Sequence, residues 1–95
     1  MIKIRSGDWK ALFPVAEELL EHPELIGQVR FEWYNEYTGT VGFHYKGCWV
    51  EIGAGYIRVA DRRGLHFKSL LVLEDTRVRQ LRRRIKKALA VGVRA

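Results

Sequence analysis

Apolar positions recur along this chain with two different periods, and the periods divide it into elements. Ile2 to Arg5 alternates and predicts a short first strand, with Ser6-Gly7-Asp8 as a turn and helix start. Trp9, Leu12, Phe13, Ala16, Leu19 and Leu20 then follow helical spacing and define one apolar face. Pro14 interrupts that pattern, because it lacks an N–H and crowds the turn before it. The sequence therefore allows a kinked helix or a turn followed by a helix from near Leu12. His22-Pro23 closes the element, since a residue before proline disfavours the helical conformation.

From Val29 the period changes to two. Val29, Phe31 and Trp33 alternate with Arg30, Glu32 and Tyr34; Val41, Phe43 and Tyr45 alternate with Gly42, His44 and Lys46; Cys48, Val50 and Ile52 alternate with Trp49 and Glu51. Thr38-Gly39, Lys46-Gly47 and Gly53-Ala54-Gly55 supply turns. Tyr56 to Ala60 reads as a further strand, Asp61-Arg62-Arg63-Gly64 as a polar turn, and Leu65 to Leu73 as the last strand. Leu70-Leu71-Val72-Leu73 is apolar at both parities, which predicts a central or doubly covered strand. A final helix is expected over 74–95, opening at Glu74-Asp75-Thr76, with Val78, Leu81, Ile85, Ala88 and Leu89 as its apolar stripe. The order β-α-β-β-β-β-β-α predicts an α+β fold in two layers: an antiparallel meander of about five strands packed against two helices on one face. No linker or repeat interrupts the 95 residues, so 1–95 is read as a single domain.

Composition supports a folded chain, being 47% hydrophobic and 12% aromatic. The single cysteine, Cys48, cannot pair internally and points to a reducing compartment. The first residues lack the apolar core of a signal peptide, and the longest apolar run, Ala11 to Ala16, is far short of a bilayer span. A cytoplasmic protein without a membrane partner is the expectation.

Charge changes the picture most. Residues 1–73 carry nine bases and nine acids, whereas residues 74–95 carry eight bases against Glu74 and Asp75, so the whole net charge of +6 falls in the last segment. On a helical wheel Arg79, Arg83 and Lys87 lie opposite the apolar stripe, with Lys86 beside them. Arg77, Arg82 and Arg84 flank the stripe, within reach of acids on the first helix such as Glu17, Glu18 and Glu21. Like charges at i, i+4 repel by about 0.2–0.5 kcal/mol per pair, and an external anion such as phosphate would relieve that cost.

Eight of the eleven aromatics fall between Phe31 and Tyr56, where a sheet core accounts for most of them. Tyr34 and Trp49 share parity with Glu32 and Glu51, which makes them the candidate partner or homodimer face. Lys46 to Ile52 does not carry the RNA-recognition-motif strand signature: it is a residue short, lacks the first aromatic, and lies in a different element order. His22, His44 and His66 have no metal-ligand spacing, so no metal or cofactor is expected. Gly53-Ala54-Gly55 joins strand to strand and is no phosphate cradle. Cys48 shares a core parity, and no nucleophile with its base and orienting group is visible, so no enzyme is expected.

These observations lead to a small nucleic-acid-binding accessory protein. Arg79, Arg83, Lys86 and Lys87 would contact the phosphate backbone, assisted by Arg62 and Arg63. The alternative is a protein-interaction module, a small inhibitor or adaptor of the kind phages and mobile elements encode, which would bind an acidic protein partner or use its exposed sheet face.

Overall fold

In the computed structural model the described residues are 2–6, 9–63 and 66–90, with side chains described for 9–61 and 69–90. The elements run β1 (Ile2–Ser6), α1 (Trp9–Glu21), a 3-10 helix (Pro23–Gln28), β2 (Trp33–Asn35), β3 (Thr40–Tyr45), β4 (Cys48–Gly53), β5 (Tyr56–Arg63), β6 (His66–Glu74) and α2 (Val78–Ala90). The fold is the α+β arrangement that the hydrophobic pattern predicts. Five strands, β2 to β6, form the antiparallel meander, and β1 returns to pair with β6, giving the sheet order β1-β6-β5-β4-β3-β2.

The register shows which face is the core. Phe43, Val50, Val59 and Leu71 lie in one cross-strand row, and Val41, Ile52, Ile57 and Leu73 in the next. All eight are buried. Leu12, Val15, Ala16, Leu19 and Leu20 of α1 and Val78, Leu81, Ile85 and Ala88 of α2 join the same cluster, so both helices cover one sheet face. Burial of one such side chain contributes roughly 1.5–3 kcal/mol. That outweighs the like-charge repulsion along α2, about 1 kcal/mol for its three i, i+4 pairs, which explains why the helix forms and docks despite its charge.

Several boundaries differ from the expectations. Pro14 lies inside α1, which runs unbroken from Trp9 with the proline on its exposed side. The proline costs the helix a hydrogen bond, and the five buried apolar residues compensate. Ser6-Gly7-Asp8 is only partly within the described residues. Asp61, Arg62 and Arg63 belong to β5 rather than to a turn, with a register shift between Asp61 and Arg62, and Gly64 lies outside the described residues. Glu74 ends β6, and the last helix begins only at Val78. Asp75 is the true start signal. Its Oδ1 accepts the Arg77 amide at 2.8 Å, and its carbonyl accepts that of Val78 at 3.2 Å. Residues 91–95 lie outside the described part.

Parity fails at one place. Phe31 is buried against Phe43, but Trp33 is 45% exposed. The chain bends at Glu32, whose amide donates to the Gly42 carbonyl, while Trp33 is itself paired with Gly42. Two successive residues thus face one partner, and the strand changes face beyond them. Trp33 therefore shares the outer face with Trp49, and Tyr34, paired with core residue Val41, sits at the sheet edge on the helix-bearing side. Trp49 thus lies on the outer sheet face, as its parity predicts, and the same placement for Tyr34 is corrected. Leu70 and Val72 are half-buried on the outer face. β6 is an interior strand with two neighbours, but no described element covers its outer side.

Candidate nucleic-acid interface

Strand alternation brings three connections to one end of the sheet: the β2–β3 loop at Glu36–Gly39, the β4–β5 turn at Ala54-Gly55, and the exit of β6 into α2. The Asp75 amide donates to the Gly55 carbonyl at 2.9 Å and joins two of them. A groove of about 900 Å³ opens here, lined by Glu36 and Tyr37 on one side and by Arg79, Arg82, Arg83 and Lys86 of α2 on the other.

The loop is held by its own hydrogen bonds. Asn35 Oδ1 accepts the amides of Tyr37 at 2.9 Å and Thr38 at 3.3 Å, the Gly39 amide donates to the Asn35 carbonyl, and Thr38 and Thr40 hydroxyls meet at 2.9 Å. Gly39 adopts φ +71°, which favours glycine, and a β-carbon there would lie 3.1 Å from Arg82 Nη2. Arg82 Nη2 in turn donates to the Thr38 carbonyl at 2.9 Å and ties α2 to the loop. The loop presents Tyr37 with 92% of its surface exposed.

The arginines flanking the apolar stripe are partly used by the fold. Arg77 donates through both terminal nitrogens to Glu17 of α1, at 2.9 and 3.2 Å, and through Nε and Nη2 to Asp75, at 2.8–3.1 Å. Those bonds hold the Asp75 carboxyl below its usual range and push the Arg77 guanidinium further up. Glu18 takes a different partner from the one expected. It accepts from Lys46 and from the Tyr45 hydroxyl at 2.7 Å, at the opposite end of the sheet. The hydrogen bond from Lys46 lowers the Glu18 carboxyl, while burial, followed by Glu18, pushes the Tyr45 phenol up to about 12. Lys46 has φ 50° and Gly47 φ 78°, the paired positive values that close a two-residue hairpin.

The acidic first helix therefore engages Arg77 and leaves the outward ridge of α2 alone. Arg79, Arg83, Lys86 and Lys87 are all exposed, and among the described residues none of their side chains has a hydrogen bond or ion pair. Arg79, Arg83 and Lys86 line the groove; Lys87 stands outside it. Arg62 and Arg63 are not brought to this site. Their backbone lies at the far end of β5, about 20 Å along the strand from the Tyr56 end, and their side chains are outside the described part. Tyr34 and Trp49 do not line the groove either.

No protein-family model matches the chain, and neither curated proteins nor solved structures give a match. The functional reading thus rests on the chemistry of this surface. Among the described residues no three of His, Cys, Asp and Glu come together as a metal site. Cys48 is buried, and burial followed by the charge of Asp61 raises its thiol. Also among the described residues, no helix is long and apolar enough to cross a membrane.

Tyr37 is the groove residue that sequence reasoning missed. Its signal was present as an aromatic two residues after Asn35 and two before Gly39, between two turn-forming residues. Its proximity to α2 was not legible, because it depends on where the hairpin end meets the helix.

Proposed function

We propose that this protein is a nucleic-acid-binding accessory protein that contacts the phosphate backbone through α2. The observation that carries the reading is the ridge of Arg79, Arg83, Lys86 and Lys87, four exposed cations whose side chains make no ion pair among the described residues. Successive ridge positions are about 6 Å apart along the helix, a spacing that suits successive phosphates. No base-reading motif accompanies them, so recognition is directed at the backbone. A free, buried Cys48 suits a reducing compartment, and we place the protein in the cytoplasm on that ground.

The test is a salt titration of binding to labelled DNA and RNA by the wild type and by a variant carrying Arg79→Glu, Arg83→Glu and Lys87→Glu. Neutralisation of about four phosphates gives a log–log slope near −3.6, a loss of roughly a hundredfold in affinity between about 50 and about 200 mM salt. Charge reversal abolishes binding. An undiminished variant, or no binding by the wild type at the lower salt, would remove the reading.

One observation favours a second reading, a protein-interaction module. Trp33, Trp49, Leu70 and Val72 share the outer sheet face, uncovered by any described element. A second copy of the chain seated there would bury them, and the homodimer is tested by sedimentation equilibrium. The mass of one chain at every concentration eliminates it.

A further inference from the structure

The groove has two unlike walls. Arg79, Arg83 and Lys86 form one, and Arg82 is already occupied by the Thr38 carbonyl. The other carries Tyr37 with Glu36, and Glu74 and Asp75 also line the groove. A duplex presents phosphates on both sides of each of its grooves. Seated here, one phosphate row would meet the arginines and the other would meet Glu36, at a Coulombic cost. An extended single strand carries its phosphates along one side and its bases along the other. That polarity matches the walls.

Tyr37 supplies what a base needs. A tyrosine ring 92% exposed has apolar faces without a covering group, and base–aromatic stacking is the usual sequence-tolerant contact in single-strand binders. The loop backbone that carries the ring is held before binding by the two amide bonds to Asn35 and by the tie from Arg82 to Thr38, so the ordering cost at association falls on the tyrosine side chain alone. We infer that the groove between the β2–β3 loop and α2 takes single-stranded nucleic acid, with phosphates on Arg79, Arg83 and Lys86 and a base stacked on Tyr37. The inference rests on the phosphate-binding reading above and adds the strandedness and the stacking residue.

The experiment measures fluorescence anisotropy of mixed-sequence oligonucleotides, as single-stranded DNA, single-stranded RNA and duplex DNA, with wild type, Tyr37→Ala and Tyr37→Phe. Tyr37 contributes nothing to the core, so circular dichroism of both variants should match the wild type. The expected result is tighter binding of single strands than of duplex. Tyr37→Ala loses about ten- to a hundredfold on single strands, the range seen when a stacking aromatic is removed. It leaves duplex affinity within about twofold, because backbone contacts carry that binding. Tyr37→Phe keeps the single-strand affinity. Duplex bound as tightly as single strand, or Tyr37→Ala without effect on single strands, overturns this inference while the phosphate-binding reading stands. Failure of every oligonucleotide at low salt removes both. A polyglutamate probe that competes as well as the single strand also overturns it, and assigns the groove to an acidic protein segment instead.

Discussion

Replacing Gly42 with alanine tests the packing of the outer sheet face. A β-carbon at position 42 would lie 2.3 Å from Trp49 Cζ2 and 2.8 Å from Cη2, closer than carbon atoms can approach. The indole cannot yield cheaply. Trp49 is half-buried, and its ring meets His44 edge-on at 5.2 Å. His44 is held in turn by Glu32, whose Oε2 is 2.6 Å from His44 Nδ1 and accepts the His44 amide at 2.8 Å. Overpacking of this kind costs about 1–3 kcal/mol. Alanine also restricts the unfolded chain, which returns about 0.4–1 kcal/mol. The net loss is then about 1 kcal/mol, and the melting temperature falls by roughly 4–8 °C for a domain of this size. The assay is urea unfolding followed by circular dichroism, with two controls. Gly27→Ala has no atom within 4 Å of its new methyl and should be neutral or slightly stabilising. In a Trp49→Ala background the Gly42→Ala penalty should vanish and leave only the gain of about 0.4–1 kcal/mol, giving a coupling of about 1–3 kcal/mol. A Gly42→Ala protein as stable as the wild type, or a penalty that persists without the indole, would refute the placement of Trp49 over Gly42.

Other outcomes follow from the charged contacts. Arg77→Ala removes the clamp between Glu17 on α1 and Asp75 at the start of α2; because the guanidinium is 41% exposed, the loss should be near 1 kcal/mol, and Arg77→Lys should restore only part of it because a single ammonium cannot bridge both carboxylates, as denaturant midpoints will show. The carboxyls of Glu18, Glu32 and Asp75 are lowered in the folded protein by hydrogen bonds from Lys46, His44 and Arg77 respectively, so their stabilisation is present above a pH of about 4 and is lost as pH falls through the depressed values. At the other extreme the Tyr45 phenol is raised to about 12, so its contribution is complete below a pH of about 10 and disappears as pH climbs toward 12. Unfolding free energy measured against pH should show both declines, and Tyr45→Phe should remove the tyrosine part of the alkaline one.

The elements were legible where the local signal was redundant. Period-two alternation with glycine turns defined β3 and β4, and the stripe Val78, Leu81, Ile85, Ala88 placed α2 together with its outward ridge. Those features depend only on which side chains share a face, a property of backbone periodicity. Three features needed the tertiary structure. The parity of Trp33 reversed because of a bend at Glu32, which is a matter of pairing with Gly42 rather than of local preference. The partner of each acid on α1 depended on the docking of the helices: Glu17 reaches Arg77, whereas Glu18 reaches Lys46. The groove itself required the β2–β3 loop and α2, more than forty residues apart, to meet at the bond from Arg82 to Thr38. The sequence by itself determined that α2 would carry a solvent-facing cationic ridge, because charge and helical phase are local. Only the folded chain decided that three of those four cations would stand along a groove with Tyr37, because that juxtaposition follows from how the strands order and the helices dock.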